Sequence, residues 1–149
     1  MDIGKNYTEA ANFLAAIIAV WRPLTGMEET IDTEIVKKDN VLIVTFKATS
    51  MSNVKAISAA SDRIKELVEK EHPKKLIFDF GQVKFFSSQV LGLLLEIRAK
   101  TKAYDGDVLI SEINPQLHRV FRITNLDKIF RFFPNKEEAM KAPDTEEAN

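Results

Sequence analysis

The chain has no cysteine among its 149 residues. That excludes disulfides, thiolate metal sites and a cysteine nucleophile, and it fits a reducing, cytoplasmic setting. Histidine is nearly absent as well. The two present, His72 and His118, fall in different elements, which argues against a zinc site or a histidine-based triad. Neither sign of charge is in excess, with 21 basic and 22 acidic residues, so the basic stripe of a nucleic-acid binder is missing. No apolar run is long enough to span a membrane. The best candidate, residues 10–21 (AANFLAAIIAVW), falls well short of the roughly 20 residues a spanning helix needs. It does not read as a secretory signal either. Asp2 and Glu9 precede it, only Lys5 is basic, and bulky Trp21-Arg22-Pro23 follows where small residues are required. The phosphate-cradling loops GxxxxGKS/T and GxGxxG do not occur. These absences lead us to expect no enzyme activity, no cofactor and no metal.

What remains is a 16.9 kDa chain that is 45% hydrophobic, enough for one compact core. The spacing divides it into an N-terminal helical extension and linker over 1–28, an α/β domain over 29–142, and a disordered acidic tail over 143–149. Within the extension, Tyr7, Ala10, Ala11, Leu14, Ile17, Ile18 and Trp21 repeat at helical spacing and Pro23 stops the helix. Its polar face lacks the Lys/Arg enrichment of a membrane-surface helix, so we read it as a packing or self-association helix.

Residues 31–37 and 41–47 read as a hairpin joined at Lys38-Asp39-Asn40. Ser52 then serves as an expected N-cap for a helix carrying Val54, Ile57, Ala60, Ile64, Leu67 and Val68 on one face, which His72-Pro73 ends. Residues 76–80 alternate little, as a strand buried on both faces should. Asp79 within it suits a carboxylate held by backbone N–H groups. A loop over 83–86 leads to the adjacent Ser87 and Ser88, where a long helix begins. A strand over 108–111 follows. Asn114-Pro115 is a cap and first-turn proline, Asn125 a left-handed stop, 129–132 a short edge strand, and 136–141 a last helix.

After the hairpin, strands and helices alternate. That pattern predicts a mixed, mostly parallel sheet of about five strands with crossover helices. Helices starting near Ser52, Ser88 and Asn114 would then share the edge where α/β folds place their binding sites. Free N–H groups and partial positive charge gather there. The expected partner-binding residues are Ser50, Ser52, Phe85, Phe86, Ser87, Ser88, Gln89 and Asn114. An aromatic pair beside polar caps suits a protein contact, and core packing accounts equally well for at least one of the two rings.

Two stretches in series carry a resemblance. Residues 74–100, KKLIFDFGQVKFFSSQVLGLLLEIRAK, hold a strand, a D-F/L-x-x-V-x-F/Y turn, a serine-bearing helix start and L-G-x-L-L. Residues 110–130, ISEINPQLHRVFRITNLDKIF, hold a strand, an N-P-Q cap, a short helix and N-L-D-x-I-F. The chain over about residues 31–140 resembles the STAS domain of anti-sigma factor antagonists and sulphate transporter C-termini. The resemblance implies a regulatory binding module whose partner is an anti-sigma factor that is also a serine kinase. That partner phosphorylates a serine at the start of the second domain helix, binding is lost, and a phosphatase restores it.

The family writes this region D-S-S-G-L-G. With Leu91-Gly92 as anchor, Ser87 stands at the aspartate and Ser88 at the first serine. Gln89 stands at the usual phosphoserine and Val90 at the small glycine. Ser88, then Ser87, are the phosphorylation candidates, and capping of the helix by either hydroxyl is the competing reading. Two other functions stay open: a non-phosphorylated scaffold or assembly module that recruits a partner or self-associates through the N-terminal helix, and a small-molecule or nucleotide sensor.

Overall fold

The computed structural model describes residues 31–143. The helix expected over 7–22 and the tail expected over 143–149 lie outside the described residues, apart from Pro143. The elements run β1 (Thr33–Lys38), β2 (Val41–Phe46), β3 (Ser50–Met51), α1 (Val54–Glu71), β4 (Lys75–Asp79), β5 (Phe85–Phe86) and α2 (Ser88–Ala103). They continue with β6 (Asp107–Ser111), α3 (Pro115–Ile123), a 3-10 turn (Leu126–Lys128), β7 (Arg131–Phe133) and α4 (Lys136–Lys141).

The fold is α/β with a mixed five-stranded sheet in the order β1-β2-β4-β6-β7. β1 pairs antiparallel with β2 across a turn in which Asp39 takes φ 54°, while β2, β4, β6 and β7 are parallel. Each parallel step moves the same way across the sheet, so right-handed crossovers place α1, α2 and α3 on one face. Side-chain alternation bears this out. Leu42, Val44, Phe46, Leu76, Phe78, Phe80, Val108 and Ile110 form one core with Ile57, Ile64, Leu94, Ile97, Leu117 and Phe121 from the helices. Phe46 stacks on Phe78 at 5.6 Å between centroids. The other face is a smaller core in which Ile43, Ile77 and Leu109 meet Ala139 of α4 and Ala142. Lys75 donates to the carbonyl oxygens of Ala139, Met140 and Ala142, satisfying the end of α4 that lacks intrahelical partners.

Local chemistry sets the boundaries. α1 ends at His72, whose φ of 46° and N–H bond to Val68 O at 2.9 Å form a left-handed stop ahead of Pro73. The ring of His72 then stacks on Tyr104 at 3.8 Å. Gly106 follows α2 where a Cβ would stand 2.1 Å from Pro73 O, so only glycine lets these two loops meet.

Three expectations shift. The N-cap of α1 is Asn53, not Ser52; its side chain accepts from Ala56 N at 2.9 Å. Val54, expected on the buried stripe, is 66% exposed in the first turn. The last strand lies at Arg131–Phe133 rather than over 129–132. Asn125 takes φ 62° as expected, but the chain then winds a 3-10 turn, with the Ile129 and Phe130 N–H groups bonded back to Leu126 O.

Candidate functional site

The three helix starts do gather at the C-terminal ends of parallel strands, and a feature with no sequence signal binds two of them together. β3 and β5 pair in parallel as a separate two-stranded ribbon, with Ser50 opposite Phe85 and Met51 opposite Phe86. The Lys84 and Phe85 N–H groups also bond to Thr49 O, and Ser87 N–H to Met51 O at 2.9 Å. The loop before α1 is therefore fastened to the loop before α2. This puts Ser50 and Ser52, whose hydroxyls lie 3.5 Å apart, on the ribbon that leads into Ser87 and Ser88.

Alternation along β5 separates the aromatic pair. Phe86 is 6% exposed and packs edge-on against Phe80 and Phe121, each at 5.9 Å. The expectation of Phe86 at a partner surface is corrected: its ring is core. Phe85, on the opposite side of the ribbon, is 54% exposed. With Val54 it gives the edge two exposed apolar side chains among the exposed polar ones of Ser50, Ser52 and Ser88. Val54 was missed because its position matches the apolar period of α1; only its place before the first full turn exposes it.

Ser87 holds the N-cap backbone position of α2 (φ −83°, ψ 165°) but its side chain makes no capping bond. Its Oγ is buried without a partner. Ser88 follows as the first residue of α2 and is exposed. Gln89 is half-buried and reaches across to α1, where its Nε2 donates to Val54 O at 3.1 Å and to Ser58 Oγ at 3.3 Å. Asn114 is the cap expected of it, its Oδ1 accepting from Leu117 N at 2.9 Å. Its Nδ2 also donates to Val83 O at 3.0 Å, tying the start of α3 to the loop before α2. Both ends of the amide are thus engaged, and the residue positions the edge rather than presenting a free group.

A second polar group lies on the α4 side of the sheet. Asp79 Oδ1 accepts from Gly81 N at 2.8 Å, the backbone hold expected from the sequence, and Oδ2 pairs with Lys136 at 3.2 Å. Glu112, in the left-handed region at φ 60°, has a carboxyl raised above its ordinary 4.5, first by burial and then by the Asp79 charge, with Lys136 partly offsetting both. Hydrogen bonding to Asp79 raises the Lys136 ammonium in turn. Lys136 and Glu112 carried no signal in the sequence, since the register that unites them crosses three elements. His118 is a packing residue, its ring 4.4 Å from that of Phe132. Among the described residues no three His, Asp or Glu side chains are placed to hold a metal ion, and no helix is long and apolar enough to cross a membrane.

The family model described as the STAS domain matches residues 32–139. Among solved structures, an anti-sigma factor antagonist from Mycobacterium paratuberculosis is 24% identical with a TM-score of 0.66, the match covering 75% of this chain and 92% of that one. A STAS domain protein from Planctomyces limnophilus is 19% identical with a TM-score of 0.66, covering 74% and 96%. The Bacillus cell fate determinant SpoIIAA, in its phosphorylated form, is 18% identical with a TM-score of 0.59, covering 74% and 97%. At these identities the likeness is one of fold.

Proposed function

Because the chain belongs to the STAS domain family, we propose that it is an anti-sigma factor antagonist-like binding protein rather than an enzyme. On this reading its helix-start edge captures an anti-sigma factor that is also a serine kinase. The carrying observation is the exposed Ser88 in the first turn of α2, on the same edge as the exposed Phe85 and Val54 and braced by the β3–β5 ribbon. An apolar contact framed by polar groups is what a regulatory protein interface requires. A hydroxyl there is open to a kinase, and a phosphate would place nearly two negative charges inside that contact. Ser87 fits the role less well, because its Oγ is buried. On this reading the protein works in the cytoplasm, in transcriptional control.

The test is to purify the full chain with each kinase-type anti-sigma factor of its source organism, measure binding, and then add ATP. Binding, followed by release with the mass gain of one phosphate that Ser88→Ala abolishes, is the expected result. Failure of every such partner to bind would sink the reading. A mass gain that persists in the Ser87/Ser88 double alanine variant would move the phosphosite elsewhere.

One observation favours a second reading, a non-switching assembly module. Gln89 stands where the family's phosphoserine usually lies, and its carboxamide ties α2 to α1. On that reading removal of residues 1–26 changes the mass measured by light scattering, and ATP with the kinase changes nothing.

A further inference from the structure

A groove of about 260 Å³ runs between α1 and α2 on the outer side of the helical layer. Its floor is apolar, from Ile57 and Leu93, and two polar cross-links span it. At the start of α2, Gln89 bonds Val54 O and Ser58 Oγ; farther along, Lys65 pairs with Glu96. Between the cross-links the wall is open. Gly92 supplies no side chain there, and a Cβ at that position would meet nothing within 4 Å. A glycine inside a helix is destabilising relative to alanine, so α2 is weakened for the sake of no packing contact.

Ser61 lines the same groove. The residue is only 6% exposed, and its hydroxyl, unbonded within the described residues, stays open to the groove. An unbonded hydroxyl open to the groove is free to accept from, or donate to, a ligand. Beside it Asp62 is exposed and pairs with no cation among the described residues. Asp62 and Glu96 against Lys65 leave the lining net negative.

We propose that this groove is an anchor pocket for one cationic, hydrogen-bonding side chain, arginine or lysine, presented by a protein docked on the helix-start edge. The inference rests on the partner-binding reading above and names the partner chemistry that the site selects. Three features of the groove support it. Its volume is below the roughly 300–1,000 Å³ of small-molecule pockets but holds a single long side chain. The apolar floor suits the aliphatic stem, while Ser61 Oγ and the carboxylates of Asp62 and Glu96 suit a charged, donor-rich head. The groove is also continuous with the edge, since Gln89 belongs to both, and pockets beside a contact surface are where arginine anchors concentrate binding energy.

The experiment is a titration of the full-length ¹⁵N-labelled chain with N-acetyl-arginine amide and, separately, with its uncharged counterpart N-acetyl-citrulline amide, followed by NMR. The arginine probe is expected to shift the amide signals of Ser61, Asp62 and Gly92 saturably, with a much smaller response to citrulline. Gly92→Leu, which fills open space, should lose the response while keeping a dispersed spectrum. Asp62→Asn should reduce the arginine response to the citrulline level. Silence at these three residues, equal responses to the two probes, or an undiminished response in Gly92→Leu would each overturn the proposal. An equal response to glycerol would make the groove a polyol site and overturn it too. Neither probe requires the protein partner, so the pocket can pass this test even where capture of an anti-sigma factor fails.

Discussion

Ser87 has the backbone of an N-cap and none of its bonding. Its Oγ is buried without a partner, so removing the hydroxyl loses no hydrogen bond and relieves a desolvated group. Ser87→Ala is expected to change stability by less than about 0.5 kcal/mol, where loss of a working cap costs about 1 kcal/mol. Chemical denaturation decides between the two, and a loss of cap size would show that the hydroxyl is bonded in solution. Glu112 makes a pH prediction. Burial and the Asp79 charge raise its carboxyl above 4.5, so the native state holds that proton more tightly than the unfolded chain does. The stability this group contributes is present at low pH and declines as pH rises from the ordinary carboxylate value through the raised native one. Glu112→Gln cannot ionise and is expected to melt higher than the parent near neutral pH. The gap should close in acid; a gap that instead widens in acid would contradict the assigned cause.

At the scale of elements, α3 depends on Asn114 twice, through the cap to Leu117 N and through the amide bond to Val83 O. Asn114→Ala removes both and is expected to cost about 2 kcal/mol, half from the cap and half from the orphaned carbonyl. Asn114→Asp keeps the cap alone and should cost about half as much in the same urea titration; no loss in Asn114→Asp would show that the tie to Val83 does nothing. The cap was legible in the sequence because Asn-Pro acts on its own next turn. So were the left-handed Asn125 and the stop at His72-Pro73. The start of α1 was misplaced by one residue because Ser52 and Asn53 are both good caps and only the chain's path selects between them. The β3–β5 ribbon left no trace, since two residues pairing with two others some 35 positions away produce no periodicity. That ribbon is also what turns Phe86 inward and Phe85 outward. The shared helix-start edge was therefore legible as a region, but not which of its two rings faces outward. The reach of Gln89 to Val54 and Ser58 was hidden for the same reason, because the bond joins two helices.

For the whole molecule, the decisive property is that the sheet grows in one direction. The order β2-β4-β6-β7 follows the chain, so the crossover helices α1, α2 and α3 lie on one face and start at the same edge. A partner docked there would meet α1, α2 and α3 at once, while the sheet behind them is packed on both faces. A charge added at this edge should therefore act on the contact and leave the fold alone. The start of α2 even favours it, because negative charge in the first turn of a helix is worth about 0.3–1 kcal/mol. Ser88→Asp is accordingly expected to leave the circular dichroism spectrum unchanged and the melting temperature equal or slightly higher. On the proposed function, binding of a kinase-type partner should fall at least about tenfold, which is about 1.4 kcal/mol, because the charge would be desolvated in the interface. Ser88→Asn, of similar size and uncharged, controls for shape and should bind far better than the aspartate. If asparagine and aspartate weaken binding equally, Ser88 is read by shape, and a phosphate there is not the switch. If aspartate instead lowers the melting temperature by several degrees, the loss of binding belongs to the fold, and the edge is not independent of the scaffold beneath it.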